Sequence, residues 1–134
     1  MHYIMVVDDD EEDIDSLLHA IHTNLENVNV KTFLSGQDLM DDLVKTSVDA
    51  FPLLIIIDQD LSNLNGISLV KKLRSAKMYR TIPLILISGY IPQSLVSQLY
   101  EEGANCFFPK PVDMEGWVHV IECIKTLFLN DSTL

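Results

Sequence analysis

Residues 53–58 read Leu-Leu-Ile-Ile-Ile-Asp, five apolar side chains in a row and then a carboxylate. A run so short and so uniformly apolar marks a β-strand covered on both faces. Because it stops at a charge, the acid stands at the strand's carboxyl end. Working outward, the same pattern recurs. Residues 3–9, Tyr-Ile-Met-Val-Val-Asp-Asp, form an apolar strand ending in two acids, and residues 84–88 end in Ser88. Residues 106–108 make a brief strand followed closely by Lys110, and residues 28–33 a further one.

Helical spacing fills the gaps. Ile14, Leu17, Leu18, Ile21 and Leu25 recur at intervals of three and four, which predicts an amphipathic helix. Ser35, with Asp38 three residues on, reads as a capping box for a helix turning Leu39, Met40, Leu43 and Val44 inward. Gly66 precedes a helix with Ile67, Val70 and Leu73 inward, and residues 94–102 form another that stops at Gly103. Asp113 caps a last helix, striped by Met114, Trp117, Val118, Ile121, Ile124 and Phe128.

Strict alternation of strand and helix predicts an α/β fold, a parallel sheet with helices on both faces. Right-handed crossovers leave few topologies, and at this size the expectation is a flavodoxin-like, doubly wound five-stranded sheet in the order 2-1-3-4-5. Ligands in such sheets bind beyond the carboxyl ends of the strands. Those ends carry Asp8 and Asp9, Asp58, Ser88 and Lys110, on strands predicted to be neighbours.

Composition bounds what this edge can do. The chain has 134 residues, 48% hydrophobic and 22% charged, so residues 1–134 are expected to form one domain. Twenty acidic residues against nine basic ones give a net charge of −11, which repels nucleic acid and anionic membranes alike. The longest apolar run, residues 51–57, falls far short of the roughly 20 residues a membrane helix needs. No basic n-region opens the chain, and two cysteines cannot make a disulfide framework, so a reduced cytoplasmic location is expected.

Residues 8–15 are acidic at every position but Ile14. Asp10 to Asp13 read as solvating the turn and favouring the positive end of the following helix. Asp8 and Asp9, at the strand end, are different. Brought near Asp58 they must protonate, unravel or gather a cation, since two such charges about 5 Å apart repel by roughly 3 kcal/mol at an effective dielectric of about 20. Hard oxygen donors with room for water suit Mg²⁺, with Mn²⁺ as a substitute, and the spacing is not that of a Ca²⁺ loop. A hydroxyl and an ammonium facing the cation, Ser88 and Lys110, match the needs of a phosphoryl group. Asp58 would be its nucleophile, already ionised and able to form an acyl phosphate.

The segments Val-Val-Asp-Asp (6–9), Ile-Ile-Ile-Asp-Gln-Asp-Leu-Ser-Asn-Leu-Asn-Gly (55–66), Leu-Ile-Ser-Gly (86–89) and Pro-Lys-Pro (109–111) resemble, in order and spacing, the receiver domains of two-component response regulators. The resemblance implies that Asp58 is the phosphoacceptor and that Asp8, Asp9 and the backbone carbonyl of Asp60 join it in holding Mg²⁺. It makes Ser88 the switch hydroxyl, Lys110 the phosphate-pairing lysine, Phe107 the aromatic switch, and the Lys110–Pro111 bond cis. It implies a sensor histidine kinase or a histidine phosphotransfer protein as donor. Output would pass from the face built by the fourth helix, fifth strand and fifth helix, with Tyr90 and Ile91 at its edge, to a target protein, a further relay member or a homodimer. No output domain is expected, and no enzymatic activity beyond turnover of the domain's own aspartyl phosphate.

Three departures stand out. Ser62 replaces the family's usual proline, and Gly89 a frequent alanine, which eases phosphate access. Phe107 lacks a hydroxyl, so it would switch by packing alone. Asp60 and Tyr90 flank the phosphoryl position and are expected to modulate phosphoryl lifetime.

Two other functions compete. Residues 58–62, Asp-Gln-Asp-Leu-Ser, also resemble the signature of haloacid-dehalogenase-type phosphatases, although there the metal acids follow the lysine. A phosphorylation-independent interaction module would keep the fold without the chemistry. His19 with His22, and His119 with Cys123, lack a third ligand nearby in sequence and read as incidental. Trp117 reads as core. Ser88 has no nucleophile elbow, and no Gly-rich phosphate loop is present.

Overall fold

A computed structural model of the protein describes residues 2–129. The sheet contains β1 (His2–Val7), β2 (Val28–Phe33), β3 (Ile55–Asp58), β4 (Leu84–Ser88) and β5 (Cys106–Pro109). All four pairings are parallel and the order is β2-β1-β3-β4-β5. The connections are α1 (Glu11–Asn24), α2 (Gly36–Val44), α3 (Gly66–Ser75), α4 (Gln93–Glu102) and α5 (Met114–Phe128), with 3₁₀ turns at Val48–Ala50 and Lys77–Tyr79. This is the doubly wound, flavodoxin-like arrangement that the alternating pattern predicts.

Period-two alternation sorts each buried strand between two cores. Met5, Val7, Ile55, Ile57, Leu84 and Leu86 face one side, with Leu39 and Leu43 of α2, Leu69, Val70 and Leu73 of α3, and Leu99 of α4. Ile4, Val6, Ile56, Ile85 and Ile87 face the other, with Leu17 and Ile21 of α1 and Trp117, Val120, Ile121 and Ile124 of α5.

The helix ends follow the local chemistry. Asp10, Ser35, Asn65 and Asp113 each cap a helix by accepting a backbone N–H. Gly103 ends α4 at φ 112°, a left-handed conformation that a side chain would strain. Against it lies Arg74, which donates to the carbonyls of Gly103, Tyr79 and Ile82 and to Asn105 Oδ1 at 2.8–3.0 Å. One guanidinium thus ties the end of α3 to the entry of β4 and the end of α4.

Several expectations are corrected. Val44, the last residue of α2, is 69% exposed, because the helix stops before that turn reaches the core. Met114 opens α5 partly exposed, at 37%, while Val120, absent from the expected stripe, is buried. The third strand pairs at 55–58 rather than 53–57, although Leu53 N already donates to Tyr3 O at 2.8 Å. The Lys110–Pro111 bond is trans, the form an X–Pro bond favours by about 0.5–1 kcal/mol, and the chain reaches α5 through the fully exposed Val112.

Candidate functional site

Strand register decides which strand ends meet. Val7 pairs with Ile57, Asp58 with Ile87 and Ser88 with Pro109. Asp8 therefore lies level with Asp58, and Lys110 leaves β5 one residue past Ser88. The ladder runs slightly beyond the strands: Asp8 N donates to Phe33 O, Gln59 N to Ile87 O and Lys110 N to Ser88 O. Backbone hydrogen bonds thus fix the starting point of each functional side chain.

The carboxylates converge. One oxygen from each of Asp8, Asp9 and Asp58 lies within 4.8 Å of the others. Asp58 is 4% exposed and Asp8 5%, whereas Asp9 is open to solvent. Burial, with the Asp58 charge adding to it, pushes the Asp8 carboxyl up to about 7, against the opposing pull of the Asp10 N–H and Lys110. The three carboxylates outnumber the one ammonium beside them, so the cluster keeps an excess of negative charge when ionised. Three hard oxygen donors with an open side fit a Mg²⁺-type cation, which binds by a few carboxylates and keeps several waters.

Lys110 supplies the cation already present. Its Nζ is 2.6 Å from Asp13 Oδ2, 3.5 Å from Asp58 Oδ2 and 3.7 Å from Asp8 Oδ2. Burial alone would lower its ammonium pKa, but these three acids outweigh it and raise the value. Lys110 is therefore charged and reaches across to β3.

The loop after Asp58 is tied down at each step. Asp60 N donates to Asp58 Oδ1 at 3.0 Å. The buried Gln59 accepts Ile67 N on its Oε1 and Gly66 N on its carbonyl. Gly66 must be glycine, since a Cβ there would stand 2.7 Å from Gln59 Oε1 and 2.8 Å from Gln59 Cα. Ser62 donates through both N and Oγ to Asp9 Oδ2, at 3.2 and 2.7 Å. A proline at 62 could make neither bond.

On the β4 side, Ser88 is 1% exposed and donates toward Asp60 Oδ2 at 3.2 Å and Tyr90 O at 3.0 Å. Tyr90 is 81% exposed. No atom lies within 4 Å of a Cβ built on Gly89, so that approach is open. Phe107 is half-buried against the α2–α3–α4 core. His19 and His22 are both exposed, and His119 Nε2 contacts Cys123 Sγ at 3.7 Å.

Asp8, Asp9, Asp58, Ser88 and Lys110 thus gather at one sheet edge, with Asp60 between Asp58 and Ser88. Asp13, which in the sequence reads as solvating the turn, forms an ion pair with Lys110. Its place three residues beyond the helix cap Asp10, in the first turn of α1, is the signal in the sequence for that contact. Gln59 was overlooked because a polar residue after a strand carries no mark of burial.

The family model of the response regulator receiver domain matches residues 4–122, and the chain belongs to this family of two-component signalling domains. Chemotaxis protein CheY1 of Helicobacter pylori is 26% identical over 108 residues, covering 81% of this chain and 84% of that protein. Two-component response regulator ARR8 of Arabidopsis thaliana is 36% identical over 61 residues, 46% of this chain, and the match spans only 27% of that relative's length. Among solved structures, the phosphorylated cyanobacterial phytochrome response regulator RcpA shares the fold, with a TM-score of 0.85, 22% identity and coverage of 97% of this chain and 96% of that one. Receiver domains are phosphoacceptor signalling domains rather than enzymes acting on an outside substrate. Among the described residues no helix is long and apolar enough to cross a membrane.

Proposed function

We propose that the protein accepts a phosphoryl group on Asp58 from the phosphohistidine of a sensor histidine kinase or a phosphotransfer protein. The observation that carries this is the placing of Asp58 between the Asp8–Asp9 pair, within 4.8 Å, and Lys110 Nζ at 3.5 Å. A phosphoryl group on Asp58 would bring oxygens that a cation held by the acids and the Lys110 ammonium can both offset. An Asp58 carboxylate oxygen attacks phosphorus, and the new O–P bond forms as the bond to the donor imidazole nitrogen breaks. That nitrogen leaves with the electron pair. Lys110 offsets charge on one side of the phosphoryl group, and Ser88 donates to an oxygen on the other. Asp8, Asp9, Asp58 and the Asp60 carbonyl would hold Mg²⁺, or Mn²⁺, which screens the nucleophile from the incoming oxygens when bound.

Residues 1–134 act in this reading as one receiver domain in the cytoplasm. Signal leaves by contact: phosphorylation draws Ser88 inward, Phe107 repacks, and the α4–β5–α5 face shifts toward a form that binds a target protein or a second copy. Nucleic acid and membrane are poor partners for a chain of net charge −11. Asp60 and Tyr90, beside the site, set the lifetime of the phosphoryl group.

The test is incubation with acetyl phosphate and Mg²⁺, followed by intact-mass spectrometry. One phosphoryl group per chain is expected, absent in Asp58→Asn and after EDTA. Equal labelling of that variant would remove Asp58 as acceptor. Steady hydrolysis of p-nitrophenyl phosphate would instead support a phosphatase.

A further inference from the structure

Ser88 and Gly89 close the site on the β4 side, and both already face an anion. Asp60 Oδ2 accepts from Ser88 Oγ at 3.2 Å and from Gly89 N at 3.4 Å. The Ser88 hydroxyl has a single proton, contested by Asp60 and the Tyr90 carbonyl at 3.0 Å. The Asp60 side chain has no other hydrogen-bond partner among the described residues. Its backbone is held independently, through Asp60 N to Asp58 Oδ1, and the loop is anchored by Gln59 and by Ser62 on Asp9. The carboxylate reaches across the mouth of the site without supporting the loop that carries it.

We propose that Asp60 is a resident anion, its carboxylate occupying in the unphosphorylated protein the two donors that a phosphoryl oxygen on Asp58 would take. The inference rests on Asp58 being the acceptor. A phosphoryl group brings close to two negative charges and strong acceptor oxygens. It repels the Asp60 carboxylate and competes for the same hydroxyl proton and N–H. Asp60 is exposed, so it can turn out into water when displaced. Ser88 and Gly89 then keep an anionic partner in both states, which makes the exchange a two-state element and not a progressive loosening. Displacement weakens the hold on the phosphoryl group relative to a site with an uncharged residue at 60. The side chain at 60 thereby sets how readily the site fills.

The test titrates beryllofluoride in the presence of Mg²⁺ into wild type, Asp60→Asn, Asp60→Ala, Ser88→Ala and the Asp60→Ala/Ser88→Ala double variant, followed by amide NMR. Loss of a competing charged acceptor predicts binding to Asp60→Ala roughly tenfold tighter than to wild type. Asp60→Asn, which keeps an acceptor without the charge, falls between them. The gain shrinks when Ser88 is also Ala. Before any beryllofluoride is added, the Gly89 amide proton moves upfield in Asp60→Ala, having lost its carboxylate partner. Affinity unchanged or weakened in Asp60→Ala, with wild type binding normally, overturns the inference and leaves Asp58 as acceptor. A gain undiminished by Ser88→Ala, or a stationary Gly89 signal, also overturns it. Failure of every variant, wild type included, to bind beryllofluoride would instead defeat the assignment of Asp58 and carry the inference down with it.

Discussion

Replacing Asp58 by Asn should stabilise the protein without a divalent cation and destabilise it, relative to wild type, with one. Asp58 lies within 4.8 Å of both Asp8 and Asp9. At an effective dielectric of about 20, each of these contacts repels by roughly 3.5 kcal/mol when both partners are ionised. Against them stands Lys110 Nζ at 3.5 Å, an attraction of about 5 kcal/mol on the same scale. The balance favours losing the charge by about 2 kcal/mol, reduced toward about 1 kcal/mol by solvent around the exposed Asp9. Asn can still accept the Asp60 N–H, so the loop keeps its anchor. A cation reverses the sign, because wild type gains about 2.7 kcal/mol at a hundredfold excess over Kd and the variant, short of a ligand, gains less. Urea unfolding at about pH 8, read by the fluorescence of the buried Trp117, measures both arms. The reasoning is refuted if Asp58→Asn is the less stable protein in EDTA by more than about 1 kcal/mol, beyond the roughly 10–15% error of the extrapolation.

Three further outcomes follow from the same geometry. With the Asp8 carboxyl raised from 3.8 to about 7, its neutral form favours the metal-free fold: this contribution is complete below pH 3.8 and is lost as pH rises through about 7. Mg²⁺ needs the ionised form, so calorimetry should show its affinity falling about tenfold per unit below pH 7, and Asp8→Asn should abolish that dependence. Gly66→Ala should cost about 2–3 kcal/mol in chemical denaturation, since its Cβ would meet Gln59 backbone at 2.8 Å, while Gly89→Ala, with nothing within 4 Å, should stay within about 0.5 kcal/mol of wild type. Arg74→Met should cost about 3 kcal/mol by thermal or urea unfolding, because it strips a charged donor from three carbonyls and the Asn105 side chain.

What the sequence made legible was whatever is encoded by local period or by a strand's last residue. Four apolar runs and the alternating segment at residues 28–33 mark the five strands, and a polar residue at the end of a run marks Asp8, Asp58 and Ser88. Less legible were contacts made by a residue's direction rather than its type. Asp13 stands in a run of acids that all read alike, yet its position in the first turn of α1 points it at Lys110. Ser62 looked like a mere absence of proline, and only the fold brings Asp9, 53 residues away, within 2.7 Å of its hydroxyl. Val44 and Met114 match the apolar stripes in composition but stand at the last and first positions of their helices, where both are exposed. Periodicity knows phase but not where a helix leaves its support.

The guanidinium of Arg74 also has a mechanical consequence. It bolts α4 at the Gly103 end, whereas the opposite end begins at Pro92 with no side-chain cap. That opposite end is held by apolar packing, Ile91 and Leu95 lying against the core, so a helix pivoting on the guanidinium would act as a lever. Ten residues make an arm of about 15 Å, so a tilt of about 10° carries the Gln93 end roughly 2.6 Å while the anchored tip stays still. The end remote from Arg74 is the one that adjoins Ser88 and Tyr90, so a tilt about the guanidinium would be largest beside the site and would fade toward Gly103.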